Sequence, residues 1–273
     1  MSKTIKQLLK LGLILTFSLT FLTGCGNGNK DDKVIKVGAS PSPHAEILEA
    51  IKPEIEKEGY ELQIVEFEDY VKPNQALSDK DLDANYFQHQ PYLDDYNKKN
   101  NTNLVGIKKI HYEPLGIYKA EKKSIDELSS GDKIGVPNDT TNEARALLLL
   151  EEQGIIELKK DAGLQATKAD IINNPKNIEI VELDAAIIPQ TLPDLAIAVI
   201  NGNFAISSGL KSDDAIIFES NDSKAAQEYA NVIAVRKEDK KSNKTKALLK
   251  ALQSDTAKNF IKNEYNGAVV AIS

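Results

Sequence analysis

Six consecutive residues, Leu195-Ala196-Ile197-Ala198-Val199-Ile200, carry no polar side chain. A strand with one wet face alternates polar and apolar residues. An unbroken apolar run of this length therefore reads as a strand buried on both faces, the central position of a parallel sheet. Parallel neighbours need long crossover connections, usually helical, and the chain supplies them. Ile35–Ser40, Glu61–Phe67, Leu82–Tyr86, Lys133–Pro137, Ile178–Leu183 and Tyr229–Val235 read as further strands. Between them, His44–Gly59 places Ile47, Leu48, Ile51 and Ile55 on one helical face, and Pro53 predicts a break inside it. Pro91–Asn100, Ala185–Leu192 and Phe204–Leu210 read as shorter helices, and Lys244–Glu264 as one long amphipathic helix. Thr140 and Glu143 have capping-box spacing, so a helix is expected to start at Thr140. Strands alternating with helices argue for an α/β fold. The chain is expected to cross between two halves near Tyr118–Lys123 and to return near Glu228–Val232. One lobe would then comprise residues 34–118 plus 232–273 and the other residues 119–231, with a hinged ligand cleft between them.

The amino terminus belongs to neither lobe. Lys3, Lys6 and Lys10 precede an apolar run from Leu11 to Leu22, too short to span a bilayer comfortably but of signal-peptide form. It ends in Leu22-Thr23-Gly24-Cys25, which resembles the lipobox of bacterial lipoproteins and contains the only cysteine of the 273 residues. The resemblance implies cleavage after residue 24 and a lipid anchor at Cys25, holding the protein on the extracytoplasmic face of the cell membrane. Residues 25–33 are polar and glycine-rich, as a flexible tether would be. The formal charge of −7 disfavours a nucleic-acid partner, which would want a basic face.

The densest chemistry lies in Asp83-Ala84-Asn85-Tyr86-Phe87-Gln88-His89-Gln90-Pro91-Tyr92-Leu93. It reads as a strand end, a turn and a helix start, and in open α/β sheets ligands sit beyond the carboxyl ends of strands. Phe87, His89 and Tyr92 there, and Tyr70 beyond the preceding strand, suit a soft, partly apolar ligand with a polar end. Other candidates converge on the same rim. Arg145, early in the Thr140 helix, can grip a carboxylate with two parallel donors. Asn201 after the apolar strand and Asn231 at the return crossing each offer both a donor and an acceptor. His44, His89 and His111 show no ligand-like spacing, so no metal is expected, and nothing calls for a cofactor. A hydrolase is disfavoured, since no Gly-x-Ser-x-Gly elbow is present and the sole cysteine is assigned to the lipid. A lipid-anchored adhesin keeping the fold without the ligand stays open.

Several segments together resemble the NlpA-type lipoproteins, the methionine-binding lipoproteins of bacterial ABC importers. They are Asp69-Tyr70-Val71-Lys72-Pro73-Asn74-Gln75-Ala76-Leu77, the Asp83–Leu93 stretch, Val136-Pro137-Asn138-Asp139-Thr140-Thr141-Asn142, Arg145–Leu150, Asn174-Pro175-Lys176-Asn177, Ala198-Val199-Ile200-Asn201 and Tyr229-Ala230-Asn231. The resemblance implies a two-lobed periplasmic-binding-protein fold of the second type, which would capture L-methionine and deliver it, as a monomer, to a membrane permease. Arg145 would hold the α-carboxylate, Asn201 and Asn231 the amino and carboxylate ends. Tyr70, Phe87, His89 and Tyr92 would line the thioether pocket. Glu113, in His111-Tyr112-Glu113-Pro114, places a carboxylate beside that site. It could receive an ammonium one residue further out, which keeps a methionine-containing dipeptide of the Gly-Met type open as ligand, and another amino acid stays open as well.

Overall fold

The computed structural model describes residues 30–220 and 228–272, so the leader and Cys25 lie outside the described residues. Residues Ile35–Ser273 form one compact unit. Its strands are, in chain order, β1 (Val34–Ala39), β2 (Glu61–Glu66), β3 (Ala84–His89), β4 (Leu104–Tyr112), β5 (Gly116–Lys119), β6 (Lys133–Pro137), β7 (Glu157–Leu158), β8 (Ile171–Asn173), β9 (Glu179–Leu183), β10 (Ile197–Ile200), β11 (Ala215–Phe218), β12 (Asn231–Arg236) and β13 (Val270–Ala271). They make two main sheets, ordered β13-β4-β12-β3-β1-β2 and β11-β5-β10-β6-β9, and β7 and β8 form a small separate pair.

The apolar run is central, as expected: β10 is buried along its whole length, between β6 and β5. Its neighbours differ in sense. β10 runs parallel to β6 and antiparallel to β5, and β12 is likewise antiparallel to both β3 and β4. β5 and β12 are the strands that the chain enters as it passes between the sheets.

The passages sit slightly off the expected places. β4 ends at Tyr112 in the first sheet and β5 begins at Gly116 in the second, so the first passage is residues 113–115, ahead of the Tyr118–Lys123 segment. Gly116 permits the early start, because a Cβ there would lie 2.7 Å from the Tyr118 ring and 2.9 Å from that of Phe218. Asn231, counted with the second lobe in the sequence reading, instead opens β12 in the first sheet and pairs with His89 and His111.

Each sheet carries its own core. Ile35, Val37, Ile47, Leu48, Ile51, Ile55, Tyr86, Ile233 and Leu248 cluster on the first. Ile134, Val136, Leu147, Leu150, Ile197 and Val199 cluster on the second. With roughly 1.5–3 kcal/mol from each fully buried aliphatic side chain, both lobes have an apolar core that needs no disulfide.

Local signals place most helix ends. Pro53 does divide its segment, into Glu46–Ala50 and Lys52–Lys57. The Thr140–Glu152 helix is capped one residue earlier than expected, by Asp139, whose Oδ1 accepts from the Asn142 backbone N–H at 3.0 Å. A carboxylate outcompetes the Thr140 hydroxyl as an acceptor there. The long C-terminal helix is instead two, Asn243–Leu252 and Asp255–Glu264. Ser254 caps the second by accepting from the Ala257 backbone N–H, so a hydroxyl inside an amphipathic stretch ended one helix and began another.

Candidate functional site

All eight sequence candidates, Tyr70, Phe87, His89, Tyr92, Glu113, Arg145, Asn201 and Asn231, line a single cavity between the two sheets. Gln88, Asn142, Gly202 and Asn203 complete its wall.

The aromatic side is built by the first sheet. Phe87 and His89 are two apart on β3, so the pleat sends both side chains the same way. Tyr70 comes from the loop after β2, and Tyr92 from the first turn of the Gln90–Asn100 helix. Their ring centroids are 5.9 Å (Tyr70–Phe87), 5.7 Å (Tyr70–Tyr92) and 6.0 Å (Phe87–Tyr92) apart, a tilted to edge-on cluster. The Tyr92 hydroxyl donates to the Tyr70 carbonyl at 3.0 Å. Tyr86, one residue off in the pleat, points the other way and joins the first core.

His89 is fixed by two bonds. Its Nδ1 caps the helix by accepting from the Tyr92 backbone N–H at 3.2 Å. That leaves the proton on Nε2, which faces Asn142 Oδ1 at 3.2 Å. Burial, reinforced by the Arg145 cation, lowers His89 to about 3, so the ring is neutral near pH 7.

The second sheet supplies the polar side. Asn142 accepts from Asn201 Nδ2 at 2.8 Å as well as from His89, while its own amide donates to both Asp139 oxygens at 3.0 Å. Asn142 thus ties β3 to the strand-end residue Asn201, a hub the sequence reading did not single out. Among the described residues, Asn201 Oδ1 is left buried with no hydrogen-bond partner, and so is Asn203 Nδ2. Asn203 meets the other wall through its Oδ1, which accepts from the Tyr70 hydroxyl at 2.6 Å. Asn203 carried one usable signal in the sequence, since it closes the Asn201-Gly202-Asn203 run after an apolar strand.

Arg145 departs most from expectation. Its Nε donates to Glu219 Oε1 at 2.9 Å, and its Nη2 to Glu219 Oε2 at 2.5 Å and to the Glu113 carbonyl at 2.9 Å. The Tyr229 ring lies 4.5 Å from the guanidinium carbon and the Tyr112 ring 5.6 Å. The cation is therefore already paired inside the protein. Burial opposes the charge on Arg145, but the Glu219 carboxylate outweighs burial and raises its pKa. Burial likewise opposes ionisation of Glu219, and Arg145 overcomes it, holding that carboxyl below the usual range. Glu219 also accepts from the Tyr112 hydroxyl at 2.6 Å and the Leu115 backbone N–H at 3.0 Å. It thereby joins both passages between the sheets to the Thr140–Glu152 helix. Nothing local in Phe218-Glu219-Ser220 announces this.

Glu113 lies in the first passage and is buried. Its Oε1 meets His111 Nε2 at 2.6 Å, His44 Nε2 at 3.3 Å and Asn231 Nδ2 at 3.3 Å. Two of the three histidines that showed no ligand-like spacing in sequence, His44 and His111, thus meet in space. The Cβ position of Gly202 lies 2.8 Å from Glu113 Cβ, so the second sheet touches the passage where Gly202 has no side chain.

Two α/β lobes joined by two passages, with a polar, aromatic-walled cavity between them, define a substrate-binding protein. Residues 35–273 match the model of the NlpA lipoprotein family. The chain belongs to that family. It is 42% identical over 253 residues to a D-methionine-binding lipoprotein, MetQ, of Salmonella typhimurium, covering 91% of this chain and 92% of the relative. A nutrient-binding protein from Burkholderia cenocepacia, solved bound to methionine, superposes with a TM-score of 0.83 at 46% identity, over 88% of this chain and all of that one. A lipoprotein structure from Ruminococcus gnavus reaches a TM-score of 0.87 at 53% identity, again over 88% of this chain and all of that one. The family's role is that of a substrate-binding component of ABC importers, which is not an enzyme class. Among the described residues no helix is long and apolar enough to cross a membrane.

Proposed function

We propose that the cavity captures L-methionine as its zwitterion, with the two lobes closing on it, and that the closed form delivers it to the permease of an ABC importer. One observation carries this reading: unspent donors and acceptors of both kinds face an aromatic wall. Among the described residues Asn201 Oδ1 is a buried acceptor without a donor, and Glu113 turns its Oε2 toward Gly202 at the cavity wall. Both suit an ammonium. Asn203 Nδ2, buried without a partner among the described residues, suits a carboxylate, and the Arg145 guanidinium and Asn231 amide lie at the same cavity wall. Tyr70, Phe87, His89 and Tyr92 would hold the thioether, each sulfur–aromatic contact contributing roughly 0.3–1.5 kcal/mol. The names of the Salmonella and Burkholderia relatives support the same ligand.

Cys25 would carry the lipid anchor, placing a monomeric binding domain on the extracytoplasmic face of the membrane. The lobes would be residues 34–118 with 232–273 and residues 119–231, shifted at each passage as the strands require.

A methionine-containing dipeptide is a second reading, favoured by Glu113, a carboxylate at the cavity wall able to receive a peptide's terminal ammonium. Native mass spectrometry of the full chain in detergent, before and after unfolding and refolding, separates the two. The expected result is an adduct of methionine mass, lost on refolding and restored by L-methionine. A dipeptide adduct would demote free methionine, and no uptake of either would reject both.

A further inference from the structure

Behind the cavity wall lies a chain of polar side chains that ends on Glu113. Tyr86, His44 and the His111–Glu113 pair come from three separate parts of the chain. All four are buried, Tyr86 and His111 completely. The Tyr86 hydroxyl bonds His111 Nδ1. His111 Nε2 faces Glu113 Oε1 at 2.6 Å. His44 Nε2 faces the same oxygen at 3.3 Å and Asn231 Oδ1 at 3.2 Å.

An ionised carboxylate only accepts, so His111 and His44 each present an Nε2–H to it. In the Nε2–H tautomer of His111, Nδ1 is a lone pair that accepts from the Tyr86 hydroxyl. Burial, followed by the Glu113 charge, raises the Tyr86 hydroxyl well above its usual value, so it keeps its proton. Burial lowers His44 to about 4, so it contributes a neutral N–H dipole. Burial by itself would push the Glu113 carboxyl up, but the interactions with His44 and His111 outweigh it and hold the group below the ordinary carboxylate range. The Arg145 cation acts in the same direction. The His111 Nε2–H is thus directed at Glu113 Oε1, and the His44 Nε2–H is shared between that oxygen and Asn231 Oδ1, while Glu113 Oε2 faces Gly202.

We propose that Tyr86, His111 and His44 are positioning residues that keep Glu113 an aimed anion, and that this set selects ligands bearing an α-ammonium. The inference rests on the methionine reading and deepens it, since it assigns selection of the amino end to residues that touch no ligand. The atoms of His44, His111 and Glu113 also lie within 4.8 Å of one another, as a small cation's ligands would. The relay, however, commits the same Nε2 atoms as donors, and a cation needs their lone pairs.

The test compares Kd for L-methionine with Kd for its deamino analogue, 4-(methylthio)butanoate, by calorimetry on the full chain in detergent. Wild type is expected to prefer methionine by about 100-fold or more, in the range for a buried charge pair. His111→Phe and Glu113→Gln should each reduce that ratio to below about 10-fold while leaving affinity for the analogue within about threefold. General damage to the cavity would weaken both ligands alike and leave the ratio intact, and that result would overturn the proposal. Tyr86→Phe, which removes one hydroxyl, serves if His111→Phe does not fold, and should narrow the ratio about threefold. Stabilisation by zinc chloride that disappears in His111→Phe would replace the relay with a cation site. Failure of wild type to bind methionine at all would overturn the methionine reading itself, and the relay with it.

Discussion

Arg145 and Glu219 show how much one residue's role depends on a partner 74 positions away. A lone arginine early in a helix suggests a free clamp for a carboxylate, but here Glu219 has already neutralised it. Removing one member leaves a buried charge uncompensated, which typically destabilises by about 3–5 kcal/mol, whereas removing both is often near neutral. Urea denaturation should therefore find Arg145→Met and Glu219→Leu each strongly destabilising and the double variant more stable than either. Additive losses would mean the pair is not coupled. His44 offers a second test at this scale. Its folded value of about 4 lies below the ordinary 6.5, so folding favours the neutral ring. The stabilisation is complete above about pH 6.5 and is lost as pH falls toward 4, by up to ~1.4 kcal/mol per pH unit. His89 and the depressed carboxylates Glu113 and Glu219 act in the same direction. His44→Gln keeps a donor and removes the titration, so its melting temperature without ligand should decline less steeply between pH 6.5 and 4. Parallel curves for variant and wild type would show that His44 does not titrate there.

At the scale of elements, the cavity depends on where strands end and helices begin. β3 delivers Phe87 and His89 to one side and Tyr86 to the other, because the side-chain period is two. The Gly202–Ser207 helix approaches the 113–115 passage closely enough that only glycine fits at its first position, with the added Cβ 2.8 Å from Glu113 Cβ. Gly202→Ala should therefore obstruct closure rather than folding. Calorimetry is expected to show methionine affinity reduced about tenfold or more, with the melting temperature of the ligand-free protein close to wild type. Unchanged affinity would mean the two elements separate freely without loss of binding. The helices also mark where local signals were strong or weak. Pro53 predicted its break, because a missing N–H and a ring clash act within one turn. The break at Ser254 was hidden because Lys244–Glu264 keeps apolar periodicity on both sides of a cap.

For the whole molecule, capture requires a ligand that touches both lobes, since only a difference in affinity between states moves the equilibrium. The structure already bridges the lobes without one, through Tyr70 to Asn203 at 2.6 Å, His89 to Asn142 at 3.2 Å and Lys99 to Thr140 at 2.7 Å. The sequence by itself determined the α/β class, the central apolar strand β10, the aromatic stretch at β3 and the residues that converge on its rim. These follow from periods of two and 3.6 and from the rule that strand ends share one side of a sheet, all of which act over short stretches of chain. Only the tertiary structure decided that Arg145 is paired with Glu219, that Asn142 is a hub, and that His44, His111 and Asn231 gather on Glu113. His44 and Asn231 stand 187 residues apart and meet only because the chain passes twice between the sheets. Pairing across such a distance leaves no periodicity in the sequence, and burial, which turns these contacts into strong ones, exists only once both lobes have folded.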